Sequence, residues 1–150
     1  MSKMHDDRMK RGWALLKRMG REKNMLNRKA TYPDLFDISV GHLFGEIWTR
    51  PGLSLRERQL ITLATNIALD RPHGNHYHYR SAKHIGISEK EIVELIIQVA
   101  AYAGWPVVGH AISQYDQVKR EDAEKAQKDK LELKSKAKAK TKTAKKKRSA

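Results

Sequence analysis

One run constrains this chain more than any other. After Ser88-Glu89-Lys90-Glu91, every residue from Ile92 to Ala103 is apolar except Glu94 and Gln98. The serine and the glutamate three residues later form a capping box, in which each satisfies a backbone N–H of the first helical turn. The run that follows is of helix length, and Gly104-Trp105-Pro106 ends it. A helix that is apolar nearly all round must be covered on several sides. In so small a chain, part of that cover is expected from another subunit, which predicts a homo-oligomer built through this helix.

The remaining periodicity is helical too. Residues 8–20 place Met9, Trp13, Leu16 and Met19 near one side, with Gly20 as a stop. Residues 21–33 read as a polar connection ending at Pro33. Asp34 then caps a helix carrying Leu35, Phe36, Ile38, Val40, Leu43, Phe44, Ile47 and Trp48, which Arg50-Pro51-Gly52 breaks. Ser54-Leu55-Arg56-Glu57 is another capping box, and its helix sets Leu60, Leu63, Ala64, Ile67 and Ala68 in one core stripe. Residues 70–74 read as a turn. In the helix after it, His78, Ala82 and Ile85 share a face, and Gly86 sits where a left-handed terminal residue is wanted. The last helix carries Val107, Val108, Ala111, Ile112, Tyr115 and Val118. No run alternates with period two for long enough to make a strand. The predicted fold class is all-α, a helical bundle.

Composition removes several chemistries. There is no cysteine, so disulfides, thiolate nucleophiles and cysteine-ligated zinc are absent. No apolar run approaches the roughly 20 residues that span a bilayer, so no membrane association is expected. The first ten residues are polar and charged, which makes a cytoplasmic protein the default expectation. The net charge of +14 is concentrated at one end: residues 134–150 hold eight lysines, one arginine and no acid. Lys/Ala/Thr alternation has no apolar face to bury. The expected organisation is a helical domain over 1–130 and a disordered Lys/Ala-rich tail over 131–150. The 134–150 segment would make at most non-specific contact with polyanions, since it has no aromatic or base-reading side chain.

Five segments recur together in a known pattern: Phe44 to Leu53 (FGEIWTRPGL), Arg58 to Ala64 (RQLITLA), His78 to Ala82 (HYRSA), Gly86 to Glu94 (GISEKEIVE) and Tyr102 to Pro106 (YAGWP). In order and spacing, from about residue 34 to 118, they resemble the carboxymuconolactone decarboxylase family, and residues 8–20 resemble that family's first helix. The resemblance implies an all-α fold whose two-helix hairpins pack across subunits, commonly in trimers or hexamers. It also implies one of two chemistries. The alkyl-hydroperoxidase-associated branch uses a CxxC pair and a glutamate relay. Their positions would fall at Arg71, Gly74 and Gln59 here, so a thiol-free peroxidase-related protein is the least favoured reading. The decarboxylase-like branch uses neither thiol nor cofactor, and the Gly45–Gly52 run is closest to it.

Decarboxylation beside an unsaturated lactone needs donors for the forming dienolate, a proton for the right carbon, and a pocket that excludes water. His78 is the acid/base candidate. Its residue pattern alone reads as a hydrogen-bonded core histidine, and the resemblance adds that the family's recurring histidine falls there. Arg50 and Arg58 are candidate carboxylate anchors, or else surface or helix-pairing salt bridges. Glu46 would orient an arginine or His78, or would be a solvated helix charge. Trp48 and Trp105 would wall the pocket or simply pack. His73 and His76 read as rim donors; a metal reading of His73, His76 and His78 fails because positions 76 and 78 diverge on a helix and the segment has no carboxylate. Two classes stay open: a cofactor-free lyase acting on a small carboxylated lactone or related cyclic acid in aromatic-compound catabolism, and a non-catalytic ligand-binding or scaffold member of the family.

Overall fold

The computed structural model describes residues 3–148, with side chains for residues 3–136. Among the described residues there are only helices and their connections: α1 (Lys3–Arg18), α2 (Glu22–Thr31), α3 (Pro33–Asp37), a π-helical segment (Ile38–Ile47), α4 (Leu55–Ala68), α5 (Pro72–His84), α6 (Glu89–Ala103) and α7 (Pro106–Arg148). The all-α class expected from the periodicity is what forms. The chain divides into two units, residues 1–115 and 116–150.

The first unit has two packed groups of helices. In one, α1 lies along the π-helical segment and α2 closes over them. Leu15, Leu16, Met19, Met25, Phe36, Val40 and Phe44 are buried there, with Trp13 tilted against Phe36 at 6.0 Å between ring centroids. The contact is close because it is made through glycine. A Cβ on Gly12 would overlap the Val40 carbonyl oxygen, and one on Gly45 would overlap the Arg8 carbonyl oxygen. Arg11 Nε donates to the Gly45 carbonyl at 3.1 Å, and Thr49 Oγ1 donates to it at 2.8 Å. The segment ends in an i→i−5 bond from Trp48 N to the Leu43 carbonyl at 2.9 Å. A stretch in this register is uncommon and is often found at functional sites.

In the other group, α4, α5 and α6 bury Leu63, Ile67, Tyr79, Ala82, Ile92, Ile96, Val99 and Ala100. Both capping boxes form as the sequence predicts: Ser54 N donates to Glu57 Oε2 at 2.6 Å, and Ser88 N donates to Glu91 Oε2 at 2.9 Å. Arg56 joins the two capped ends by bonding to the Gly86 carbonyl and to Glu91.

Four expectations need correction. Residues 21–33 are not a connection, because Glu22–Thr31 is helical and buries Met25. Asp34 does not cap the next helix; Tyr32 precedes it and Pro33 is its first residue, a position where the missing proline N–H costs nothing. The turn expected at 70–74 is shorter, and α5 begins at Pro72 after Asp70, which takes a positive φ of 46°. The α4 core stripe runs through Gln59, Leu63 and Ile67, while Ala68 is exposed. Within the single chain α6 is covered on one side, and Val93 and Ile97 stay 42% and 47% exposed.

Of the segment expected to be a disordered tail, 131–150, the residues as far as Arg148 belong to α7, and the side chains of residues 131–136 are all exposed. Lysine and alanine are good helix formers.

Candidate active site

A cavity of about 320 Å³ is lined by residues of α2 and its start, the π-helical segment, α4 and α5. Its size suits a small ligand. The π-helical segment and its end contribute Ser39, Leu43, Phe44 and Trp48. These recur at four- to five-residue intervals, which the wide i→i−5 turn brings to one side. Thr62 comes from α4 and His78 from α5. Arg21, Met25 and Arg28, from the start and body of α2, complete the wall.

His78 stacks on Trp48, with ring centroids 5.8 Å apart and planes 19° from parallel. Its Nδ1 faces the side-chain amide of Gln59, which is fully buried and whose Nε2 also donates to the His78 backbone carbonyl at 2.8 Å. Burial first, and the nearby Arg21 charge second, hold the imidazole pKa down to about 4. At neutral pH His78 is therefore uncharged.

Arg21 is the unusual member of the site. It is 91% buried, the complement of its 9% exposure, yet its Nε and Nη1 have no hydrogen-bond partner. Its guanidinium lies 5.1 Å from the Phe44 ring centroid and 5.6 Å from that of Tyr77. Burial first, and Arg28 second, bring its pKa down to about 10, so it still carries its charge at neutral pH. A buried cation with unmet donors is costly unless an anion completes it. The cavity thus holds a neutral imidazole, two guanidiniums and hydroxyls from Ser39 and Thr62 among apolar walls.

Of the residues singled out from the sequence, His78 and Trp48 meet in this cavity. Arg50 and Arg58 do not line it; Arg58 Nη2 donates to the Arg50 carbonyl at 2.8 Å, which braces the break after the π-helical segment. Glu46 points elsewhere, accepting from Arg8 Nη1 at 2.9 Å with His42 Nδ1 at 3.1 Å, and these partners hold its carboxyl below the usual range. Trp105 is 70% exposed, His73 is exposed and His76 is half-buried. None of these three lines the cavity.

Sequence reasoning missed Arg21 and Arg28 because it treated 21–33 as a connection. The signal was there: Arg21, Met25 and Arg28 stand at i, i+4 and i+7, one helical face.

Comparison with known proteins places residues 33–117, more than half of the chain, on the model of the carboxymuconolactone decarboxylase family. Over 75 residues the chain is 36% identical to the 4-carboxymuconolactone decarboxylase of Acinetobacter baylyi, covering 50% of this chain and 56% of that protein. Over 63 residues it is 36% identical to the nitrosuccinic acid decarboxylase of Metarhizium robertsii, covering 42% of this chain and 44% of that protein. The chain thus spans about half the length of each relative. The family match begins at residue 33, so Arg21 and Arg28 lie outside it. From the five matching segments and the helices that carry them, the chain belongs to the carboxymuconolactone decarboxylase family.

Proposed function

We propose that this protein is a cofactor-free carboxy-lyase for a small, carboxylated unsaturated lactone or related cyclic acid, of the kind met in aromatic-compound catabolism. The observation that carries the reading is the pairing, in one cavity, of an uncharged His78 with the unmet donors of Arg21. Two decarboxylases among the similar proteins support it.

The chemistry follows from where charge moves. The bond from ring carbon to carboxylate breaks, CO₂ leaves, and its electron pair spreads toward the ring carbonyl as a dienolate. A guanidinium on the departing carboxylate would stabilise the ground state and slow this step; one on the oxygen that gains charge lowers the barrier. Arg21 and Arg28 therefore suit the lactone oxygen or a second carboxylate. The leaving group suits the apolar wall of Leu43 and Phe44, where losing its charge is favoured. His78 takes a proton from solvent as the anion binds, because a carboxylate beside the buried ring favours the imidazolium directly and also offsets the arginine charge, and then gives that proton to the ring carbon. This moves the anchoring role first expected of Arg50 and Arg58 to Arg21 and Arg28.

The test is CO₂ release by the purified protein against a panel of unsaturated lactone acids, with nitrosuccinic acid included. His78→Ala should lower turnover roughly 100-fold or more, the usual worth of a positioned acid–base group, with a much smaller change in KM. Full turnover in His78→Ala would overturn the assignment. Ligand binding without turnover by the parent protein on any member would favour the non-catalytic reading.

A further inference from the structure

Gln59 is the one polar residue in the buried stripe of α4, and among the described residues the hydrogen-bonding contacts of its amide go to His78. Nε2 lies 2.8 Å from the His78 carbonyl oxygen and 3.2 Å from Nδ1, and Oε1 lies 3.4 Å from Nδ1. A carbonyl oxygen only accepts, so the atom at 2.8 Å has to be the NH₂ group, and this fixes which way the amide faces.

Two tautomers of His78 then compete. If Nδ1 accepts from Gln59 Nε2, the fully buried Oε1 is left with no donor at all. If Nδ1 carries the proton and donates to Oε1, both amide atoms have a partner, and only the second N–H of an already bonded group goes unmet. A buried acceptor with no partner bears its full desolvation cost, so the second arrangement is favoured although its contact is longer. Electrostatics agree. With the proton on Nδ1, the other ring nitrogen presents a lone pair, and Arg21 already disfavours positive charge on this imidazole. Among the described residues the ring contacts of His78 with Gln59 are all at Nδ1, and none is made at Nε2 of this cavity-lining residue.

We propose that Gln59 is a positioning residue that keeps a proton on His78 Nδ1, so that Nε2 is the only atom of the ring that exchanges a proton with the cavity. Its chemical role rests on the function proposed above. The imidazolium gives up the Nε2 proton and returns to the same neutral tautomer, with no proton shift across the ring. The Oε1 contact persists through both states and favours the charged one. In the reverse arrangement the amide N–H would oppose protonation at Nδ1 and the cycle would require the amide to turn over, which the bond to the His78 carbonyl resists.

The experiment is two-bond ¹H–¹⁵N correlation on the full chain carrying ¹⁵N-histidine, at neutral pH without ligand. The His78 signals are identified by their loss in His78→Gln. The expected result is a predominant Nδ1–H tautomer in the parent. Gln59→Leu should shift the majority to Nε2–H, the form free imidazole side chains prefer, and Gln59→Glu, which keeps an oxygen acceptor, should retain Nδ1–H. A predominant Nε2–H form in the parent, or an unchanged tautomer in Gln59→Leu, overturns the proposal. The parent spectrum decides the question even if a variant fails to fold. An Nδ1–H parent with no activity on any acid would leave this inference standing and remove only the lyase reading.

Discussion

Trp48 lies flat against His78, 5.8 Å between ring centroids, and the two rings come from elements thirty residues apart in sequence. Trp48 sits at the end of the π-helical segment and His78 in the middle of α5. The stack covers one face of the imidazole, and Gln59 occupies Nδ1. What remains to the ring is Nε2. A π face also favours a cation on its neighbour, yet burial dominates, since the imidazole pKa falls to about 4.

That balance has a measurable consequence. Between about pH 6.5 and 4 the unfolded chain binds a proton at residue 78 that the folded chain does not. Stability therefore falls as pH drops through this window, by at most roughly 3 kcal/mol from this group, and the contribution levels off below it. His78→Gln should flatten that part of the denaturation-versus-pH curve. A small dicarboxylate should move the His78 titration midpoint upward, because it offsets the Arg21 charge; histidine NMR with and without the ligand checks the sign.

Arg21 separates stability from binding. Its guanidinium is desolvated with two nitrogens unpartnered, so Arg21→Met should keep or raise the thermal midpoint. The same change should weaken binding of a small carboxylate at least tenfold, about 1.4 kcal/mol. Arg21→Lys should mostly raise KM, since a point charge replaces a two-pronged donor. Arg50→Lys and Arg58→Lys, which alter side chains away from the cavity, should leave KM within about twofold. Calorimetry and titration on the same preparations read both effects.

The glycine contact beneath the π-helical segment should be intolerant of side chains. Gly12→Ala and Gly45→Ala each place a methyl group on a backbone carbonyl oxygen, of Val40 and Arg8 respectively. Backbone cannot move aside as a flexible side chain can, so a loss of about 2–3 kcal/mol is expected for each. Gly52→Ala meets no atom but has a φ of 101°, and should cost less, about 1 kcal/mol. Urea denaturation of the three variants ranks them.

We expect the chain to self-associate. The outer side of α6 exposes Val93, Ile97 and Tyr102, and an open groove of about 380 Å³ runs between α4 and α6 past Ala64, Ala68 and Val99. Ile97→Glu should lower the association state seen by sedimentation at micromolar concentration while leaving helical content unchanged. A parent that sediments as a ~17 kDa monomer would remove the expectation.

Much of the architecture is local, and the sequence by itself determined it. Ser54 with Glu57 and Ser88 with Glu91 start their helices because each pair satisfies backbone groups within one turn. Gly104 ends α6 in the left-handed region that favours glycine. Apolar periodicity placed Leu16, Leu63, Ile67 and Ile96 inside, and the family pattern singled out His78. Tertiary structure alone decided the rest. Residues 21–33 carry a helical spacing at Arg21, Met25 and Arg28, but with so few apolar residues it is the entry of Met25 into the core that gives α2 its place. The π register at Ile38–Ile47 accompanies a contact in which α1 reaches the backbone through Gly12 and Gly45. Arg21 and Gln59 gained their place at the site in the same way. Their environment is made by helices distant in sequence, and the convergence of polar groups across a core is a property of packing that no local pattern encodes.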